Sequence, residues 1–216
     1  MRLRYVENAY EMIEKHPRLL QKPEAYKGKW QSLFNKEQAL FVEFGGGKGS
    51  FIIDSAKADP SSNYLTFERN AKVVCKSLVK MEDIDHDNFY IVCADVTDVC
   101  GIFEDNGVDR IYLNFSDPWP KDRHAKRRLT HDSFLKKYEQ ILKPGGELHF
   151  KTDNDDLFAY SLESLERQGW TLKLVTKDLH KSDYLEGNIM TEYEAKFSGQ
   201  GKNINKLIAV SPKKTV

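Results

Sequence analysis

A short apolar run, Leu40-Phe41-Val42-Glu43-Phe44, ends in three glycines, Gly45-Gly46-Gly47, and Phe51, Ile52, Ile53 and Ala56 then recur at helical spacing until Asp59-Pro60. A strand, a tight turn and a helix in that order open a βαβ unit. The alternation continues with strand-like Tyr64 to Phe67 and a helical stripe from Ala71 to Met81. Strands over Phe89–Cys93 and Arg110–Phe115 follow, then a helix through Phe134, Leu135, Tyr138, Ile141 and Leu142, closed by Pro144-Gly145-Gly146. Glu147–Lys151 reads as a strand and Leu157–Arg167 as a helix, with Thr171–Thr176, Thr191–Phe197 and Lys206–Val210 as late strands. This alternation predicts an α/β chain, doubly wound around a mostly parallel sheet with helices on both faces. Ligands of such sheets bind beyond the carboxyl ends of the strands, so the residues that follow each strand carry the function. Residues 1–38, polar and aromatic with Pro17 and Pro23, form an N-terminal arm, and residues 39–216 the αβ domain.

The 33 Lys+Arg of this 216-residue chain balance 33 Asp+Glu, which leans away from a nucleic-acid binder until the location of the charges is considered. With 40% apolar residues, 12% aromatics and only 13 Gly and 7 Pro, wholesale disorder and fibrous repeats are excluded. Cys75, Cys93 and Cys100 are odd in number and lack CxxC spacing, so neither a disulfide framework nor a structural zinc is expected, and a reducing cytoplasm fits. His124, His149 and His180 show no metal spacing. The chain has no apolar leader and no stretch of the roughly 18–20 apolar residues a spanning helix needs, so a soluble protein without membrane association is expected.

The glycine turn has the form E-x-G-x-G-x-G from Glu43 to Gly49. The dinucleotide fingerprint fails because Ser50 occupies its last glycine position, and the P-loop fails because Gly49 follows Lys48 and Val42 stands at the first glycine. Glycines such as Gly45 and Gly47 let backbone approach a ligand closely. Glu68 ends the next strand 19 residues after Gly49, where a carboxylate can accept both hydroxyls of a ribose. Asp95 ends the third strand, placed to meet an adenine amino group, although an acid there also caps helices. Acids at three successive strand ends repel a phosphate-bearing cofactor and favour a cationic sulfonium. This set resembles motif I and the ribose and adenine contacts of class I S-adenosylmethionine-dependent methyltransferases.

The fourth strand leads into Asn114-Phe115-Ser116-Asp117-Pro118-Trp119-Pro120, stiffened by two prolines to hold a planar base against a methyl donor. Lys121 to Arg128 then carries five Lys/Arg and one Asp, a net +4 that is an electrostatic footprint for phosphates, although a charged run is also an ordinary solvated face. Trp30 and Trp170 read as packing residues, and the cysteines as buried ones.

The Asn114–Lys121 loop closely resembles the Asn-Phe-x-Asp-Pro-Trp-Pro-Lys signature of the bacterial, single-subunit tRNA (guanine-N7-)-methyltransferase family. The likeness continues through Arg127-Arg128-Leu129-Thr130, His149-Phe150-Lys151-Thr152-Asp153 and Thr191-Glu192-Tyr193-Glu194. It implies a Rossmann-like, seven-stranded fold and methyl transfer from S-adenosylmethionine to a guanosine in the tRNA variable loop. It also implies a monomer or homodimer with no obligatory second subunit. Glu43, Gly45, Gly47, Glu68, Asp95 and Asp117 are then donor contacts, with Asp117 also the catalytic residue. Lys121, Asp153, Thr191, Glu192, Tyr193 and Glu194 are substrate contacts, and Arg123, His124, Lys126, Arg127 and Arg128 bind RNA. Asp122 departs from the basic residue expected after Lys121 and weakens the local charge.

Elementary chemistry agrees with that resemblance. Guanine N7 carries a lone pair and no proton, so in-line displacement needs positioning more than a base. The product purine is cationic, and a nearby carboxylate such as Asp117 or Asp153 stabilises the growing charge. Carboxylates such as Glu192 or Glu194 can accept the donors on the N1/N2 edge of guanine. Two other classes compete: a non-catalytic RNA-binding module with a vestigial pocket, and a small-molecule methyltransferase, which leaves Lys121 to Arg128 unexplained.

Overall fold

All six residues of the strand Ser62–Phe67 are buried, which is why that run lacks the alternation of a half-exposed strand. The computed structural model describes residues 9–81 and 84–213. The chain divides into two compact units, Met1–Glu104 and Asp105–Val216.

In the first unit, α1 (Ala9–Lys15) and β1 (Leu19–Leu20) precede β2 (Ala39–Phe44), α2 (Ser50–Ala58), β3 (Ser62–Phe67), α3 (Ala71–Val74), α4 (Leu78–Met81), β4 (Phe89–Val92) and α5 (Val99–Ile102). Its strands lie in the order β1-β4-β3-β2, all parallel. The helix expected over 71–81 is broken by a 3-10 turn, Cys75–Ser77, where the Ser77 hydroxyl donates to the Val74 carbonyl at 2.6 Å. Such back-bonding competes with the helical ladder. The arm enters this unit directly. Leu19 and Leu20 pair with Ile91 and Val92, and the buried Trp30 packs 5.4 Å from Phe103 and 6.0 Å from Phe67 between ring centroids. Its indole N–H donates to the Ile102 carbonyl at 3.0 Å, so the polar edge of the ring is satisfied in the core.

The second unit comprises β5 (Val108–Asn114), α6 (Asp132–Ile141), β6 (Leu142–Thr152), α7 (Asp155–Arg167), β7 (Thr171–Thr176), α8 (Glu192–Ser198) and β8 (Asn205–Val210). The strand order is β5-β6-β8-β7, with β5 and β6 parallel and the other two pairs antiparallel. Asn154 caps α7, its side chain accepting from Leu157 N at 2.7 Å. Tyr138, Leu148, Phe150, Phe158 and Leu207 are almost wholly removed from water and form this unit's core.

Three expectations are corrected. The described residues hold eight strands rather than seven, because Leu19–Leu20 is too short to give a periodic signal. Pro144-Gly145-Gly146 lies inside β6 instead of ending a helix, with the β5–β6 register shifting between Val108 and Arg110. Thr191–Phe197 is the cap and all but the last residue of α8, not a strand, because Thr191 caps the helix through Glu194 N at 2.9 Å. No helix among the described residues is long and apolar enough to cross a membrane.

Trp30→Ala is expected to lower the unfolding free energy by about 3–5 kcal/mol, read as a fall in the denaturant midpoint. An unchanged midpoint would show that the arm adds nothing to the core.

Candidate active site

Parallel pairing sets Phe44 opposite Phe67, and Phe67 opposite Val92. Three strands therefore end level, and the chain that leaves each one emerges on a single edge. Gly45 N and Gly46 N both donate to the Phe67 carbonyl, at 2.9 and 3.1 Å, and turn the backbone over that edge. Gly45 and Gly47 have φ of +82° and +58°, and a Cβ built on either would meet nothing within 4 Å. The turn is thus left-handed and open on the side where side chains would otherwise project. Gly46 is demanded by space instead: its Cβ would stand 1.7 Å from Thr66 Oγ1 and 2.5 Å from Glu43 Oε2. The Thr66 hydroxyl donates to the buried Glu43 carboxylate at 2.9 Å. Glu68 is half-buried and accepts from Asn70 N at 2.8 Å, while exposed Asp95 accepts from Thr97 N at 2.7 Å. An open glycine turn edged by carboxylates fits a cationic, amine-bearing donor. Burial pushes the Cys93 thiol up to about 11, with Cys75 and the Glu68 charge adding to the shift, so this thiol is no nucleophile.

The loop after β5 is held in an uncommon backbone. Phe115 and Trp119 both sit at positive φ, +52° and +42°. Bulky residues in the left-handed region cost on the order of 1–3 kcal/mol each and persist only where the surroundings impose them. Arg128 supplies much of that constraint. Its Nε donates to the Pro118 carbonyl at 3.1 Å and its Nη2 to the Trp119 carbonyl at 3.0 Å, while the guanidinium lies 4.3 Å from the centre of the Tyr160 ring. The Arg127 guanidinium stands 4.7 Å over the Trp119 indole, and His124 meets that indole edge-on with centroids 5.7 Å apart. Asp117, between the two strained residues, is exposed and has no hydrogen bond or ion pair among the described residues. Lys121, Arg123 and Lys126 are exposed, as is Arg127, so the basic stretch divides into an outward face and one arginine turned inward.

At the end of β6 the Lys151 carbonyl accepts Phe115 N at 2.9 Å, tying the strand end to the loop. Asp153 Oδ2 accepts from Lys202 Nζ at 2.9 Å and from the Tyr193 hydroxyl at 3.2 Å. The exposed Tyr193 ring lies 4.8 Å from Phe115 and 4.2 Å from Phe197, and burial together with the Asp153 charge raises its phenol pKa. Of the four consecutive candidates, Thr191 is the helix cap, and Glu192 and Tyr193 are exposed. Glu194 is wholly buried and faces inward, paired with Lys151 at 2.6 Å and accepting from Asn188 at 2.8 Å. Sequence reasoning passed over Asn188, Lys151 and the inward turn of Arg128. The capping pattern Thr191-x-x-Glu194 was a signal for the first turn of α8. Nothing comparable marks which arginine of a basic run faces the loop.

Other candidates are structural. Burial lowers His149 to about 4, and its Nε2 lies 2.8 Å from Glu147. Trp170 is buried, and no group of three potential metal ligands occurs among the described residues.

The family model described as "Putative methyltransferase" matches residues 37–207. The tRNA (guanine-N(7)-)-methyltransferase of Lachnoclostridium phytofermentans is 46% identical over 213 residues, covering 99% of this chain and 100% of that protein. Among solved structures, a 16S rRNA (adenine(1408)-N(1))-methyltransferase from Catenulisporales acidiphilia, with its cosubstrate S-adenosylmethionine, has a TM-score of 0.60 at 15% identity. That match covers 90% of this chain and 94% of the other. An S-adenosylmethionine-dependent methyltransferase from Aquifex aeolicus has a TM-score of 0.55 at 15% identity, covering 95% and 100%. The structural likenesses establish the α/β methyltransferase fold, and the sequence relatives the family. The chain belongs to the tRNA (guanine-N7-)-methyltransferase family of S-adenosylmethionine-dependent enzymes.

Proposed function

We propose that the chain methylates N7 of a guanosine in the variable loop of tRNA. The observation that carries this reading is the carboxylate of Asp117, which has no hydrogen bond or ion pair among the described residues and is held between two left-handed residues at a strand end. Bound S-adenosylmethionine supplies a methyl group activated by its sulfonium. The Gly45–Gly47 turn and Glu43 receive the amino-acid end of the donor, Glu68 the ribose and Asp95 the adenine. Asp117 contacts the donor, and its carboxylate faces the cationic purine that forms and stabilises the charge growing there. The lone pair of N7 needs no base, so positioning dominates. Tyr193, Phe115 and Asp153 form one side of the guanine site, and Glu192 meets the N1/N2 edge. Lys121, Arg123, Lys126 and Arg127 take the phosphates, while Arg128 holds the loop. One chain supplies all of these groups, which supports action without a second kind of subunit, as a monomer or homodimer on cytoplasmic tRNA.

Asp117→Ala is expected to lower kcat by about 10²–10³ and to weaken donor binding by a much smaller factor. Unchanged kcat would remove Asp117 from the mechanism. Replacing Arg123 or Lys126 by alanine should flatten the slope of log affinity against log salt by about 0.7–0.9 per residue. Arg128→Ala should leave that slope alone and reduce kcat, measured by filter binding and steady-state assay. Reduction and aniline scission of the methylated tRNA should cut once, within the variable loop; a cut elsewhere would refute the position.

A further inference from the structure

We propose that Lys151 is a positioning residue for guanine binding, its buried ammonium anchoring the 188–194 segment so that Glu194 supports the guanine site without touching guanine. The inference rests on the reading that this chain methylates tRNA. The Lys151 and Glu194 side chains are 5% and 0% exposed and lie 2.6 Å apart. Two charges so far from water are tolerated only where every polar atom has a well-placed partner. Lys151 Nζ meets that condition with three donations: to Glu194 Oε2, to the Ile189 carbonyl at 2.9 Å and to Asn188 Oδ1 at 3.3 Å. Glu194 Oε1 takes the Asn188 amide at 2.8 Å and stands 3.2 Å from His180 Nε2. Both carboxylate oxygens are therefore engaged inside the protein.

What this network fixes is the surface beside it. Tyr193 precedes Glu194, packs at a tilt against Phe115 and donates to Asp153, while the backbone of Lys151 receives Phe115 N. One residue thus ties the Asp117 loop through its carbonyl and the Tyr193 segment through its ammonium. Neutralising Lys151 leaves the buried Glu194 anion without its lysine partner, which favours loosening of residues 188–194. The carboxylates and glycines proposed to hold the donor are not members of the network. Loss should therefore appear in tRNA binding rather than in donor binding.

The test compares the wild type with K151M, E194Q, the K151M/E194Q double variant and N188A, with bulk tRNA and S-adenosylmethionine as substrates. K151M and E194Q should each raise KM for tRNA at least about tenfold, with kcat at saturating tRNA and the donor dissociation constant within about threefold of wild type. The double variant should be no worse than the weaker single one, since both remove one shared network. Additive losses, a fall in kcat for E194Q at unchanged KM, or wild-type kinetics in both single variants would overturn the proposal. If K151M fails to fold, the neutral double variant and N188A carry the comparison, with N188A expected to raise KM about threefold. N188A with wild-type KM, or a double variant impaired in kcat alone, would then overturn it. Absence of N7-methylguanosine with the wild type would instead sink the underlying reading.

Discussion

Parallel register is the constraint on which the proposed donor side of this enzyme depends. Because Phe44, Phe67 and Val92 lie level, the residues that leave β2, β3 and β4 share one edge. Glu43 reaches that edge from inside its strand, Glu68 directly after the next, and Asp95 within a short turn. A one-residue slip of β3 would turn its side chains to the opposite face and separate Thr66 from Glu43. The hydrogen bond between those two, and the absence of a side chain at Gly46, are consequences of the same register.

Strain organises the proposed acceptor side. Two non-glycine residues in the left-handed region flank Asp117, and Arg128 binds the Pro118 and Trp119 carbonyls of the same loop. The zero formal charge of the chain is therefore a sum over unlike places. Acids gather beside the glycine turn, exposed cations follow the loop, and some charges, such as those of Arg128, Lys151 and Glu194, serve the fold. Total charge says little about a partner when its components are sorted in this way.

The alternation of strand and helix was legible because each βα step leaves a period that a single sequence displays. The glycine turn and the strand-end acids were legible for the same reason: their positions follow from where strands stop. Leu19–Leu20 was not, since two residues carry no period, and α8 was misread because Tyr193 and Phe197 have strong strand preferences that the Thr191 cap overrides. The inward turn of Arg128 and the pairing of Lys151 with Glu194, 43 residues away, depend on tertiary contacts that spacing does not encode.

If this fold places a methyl group on guanine N7 of tRNA, the product nucleoside reports it. Incubation of the protein with bulk tRNA and methyl-labelled S-adenosylmethionine, followed by digestion and nucleoside chromatography, should put the label in N7-methylguanosine alone. Label in any other nucleoside, or none in tRNA, would refute that reaction.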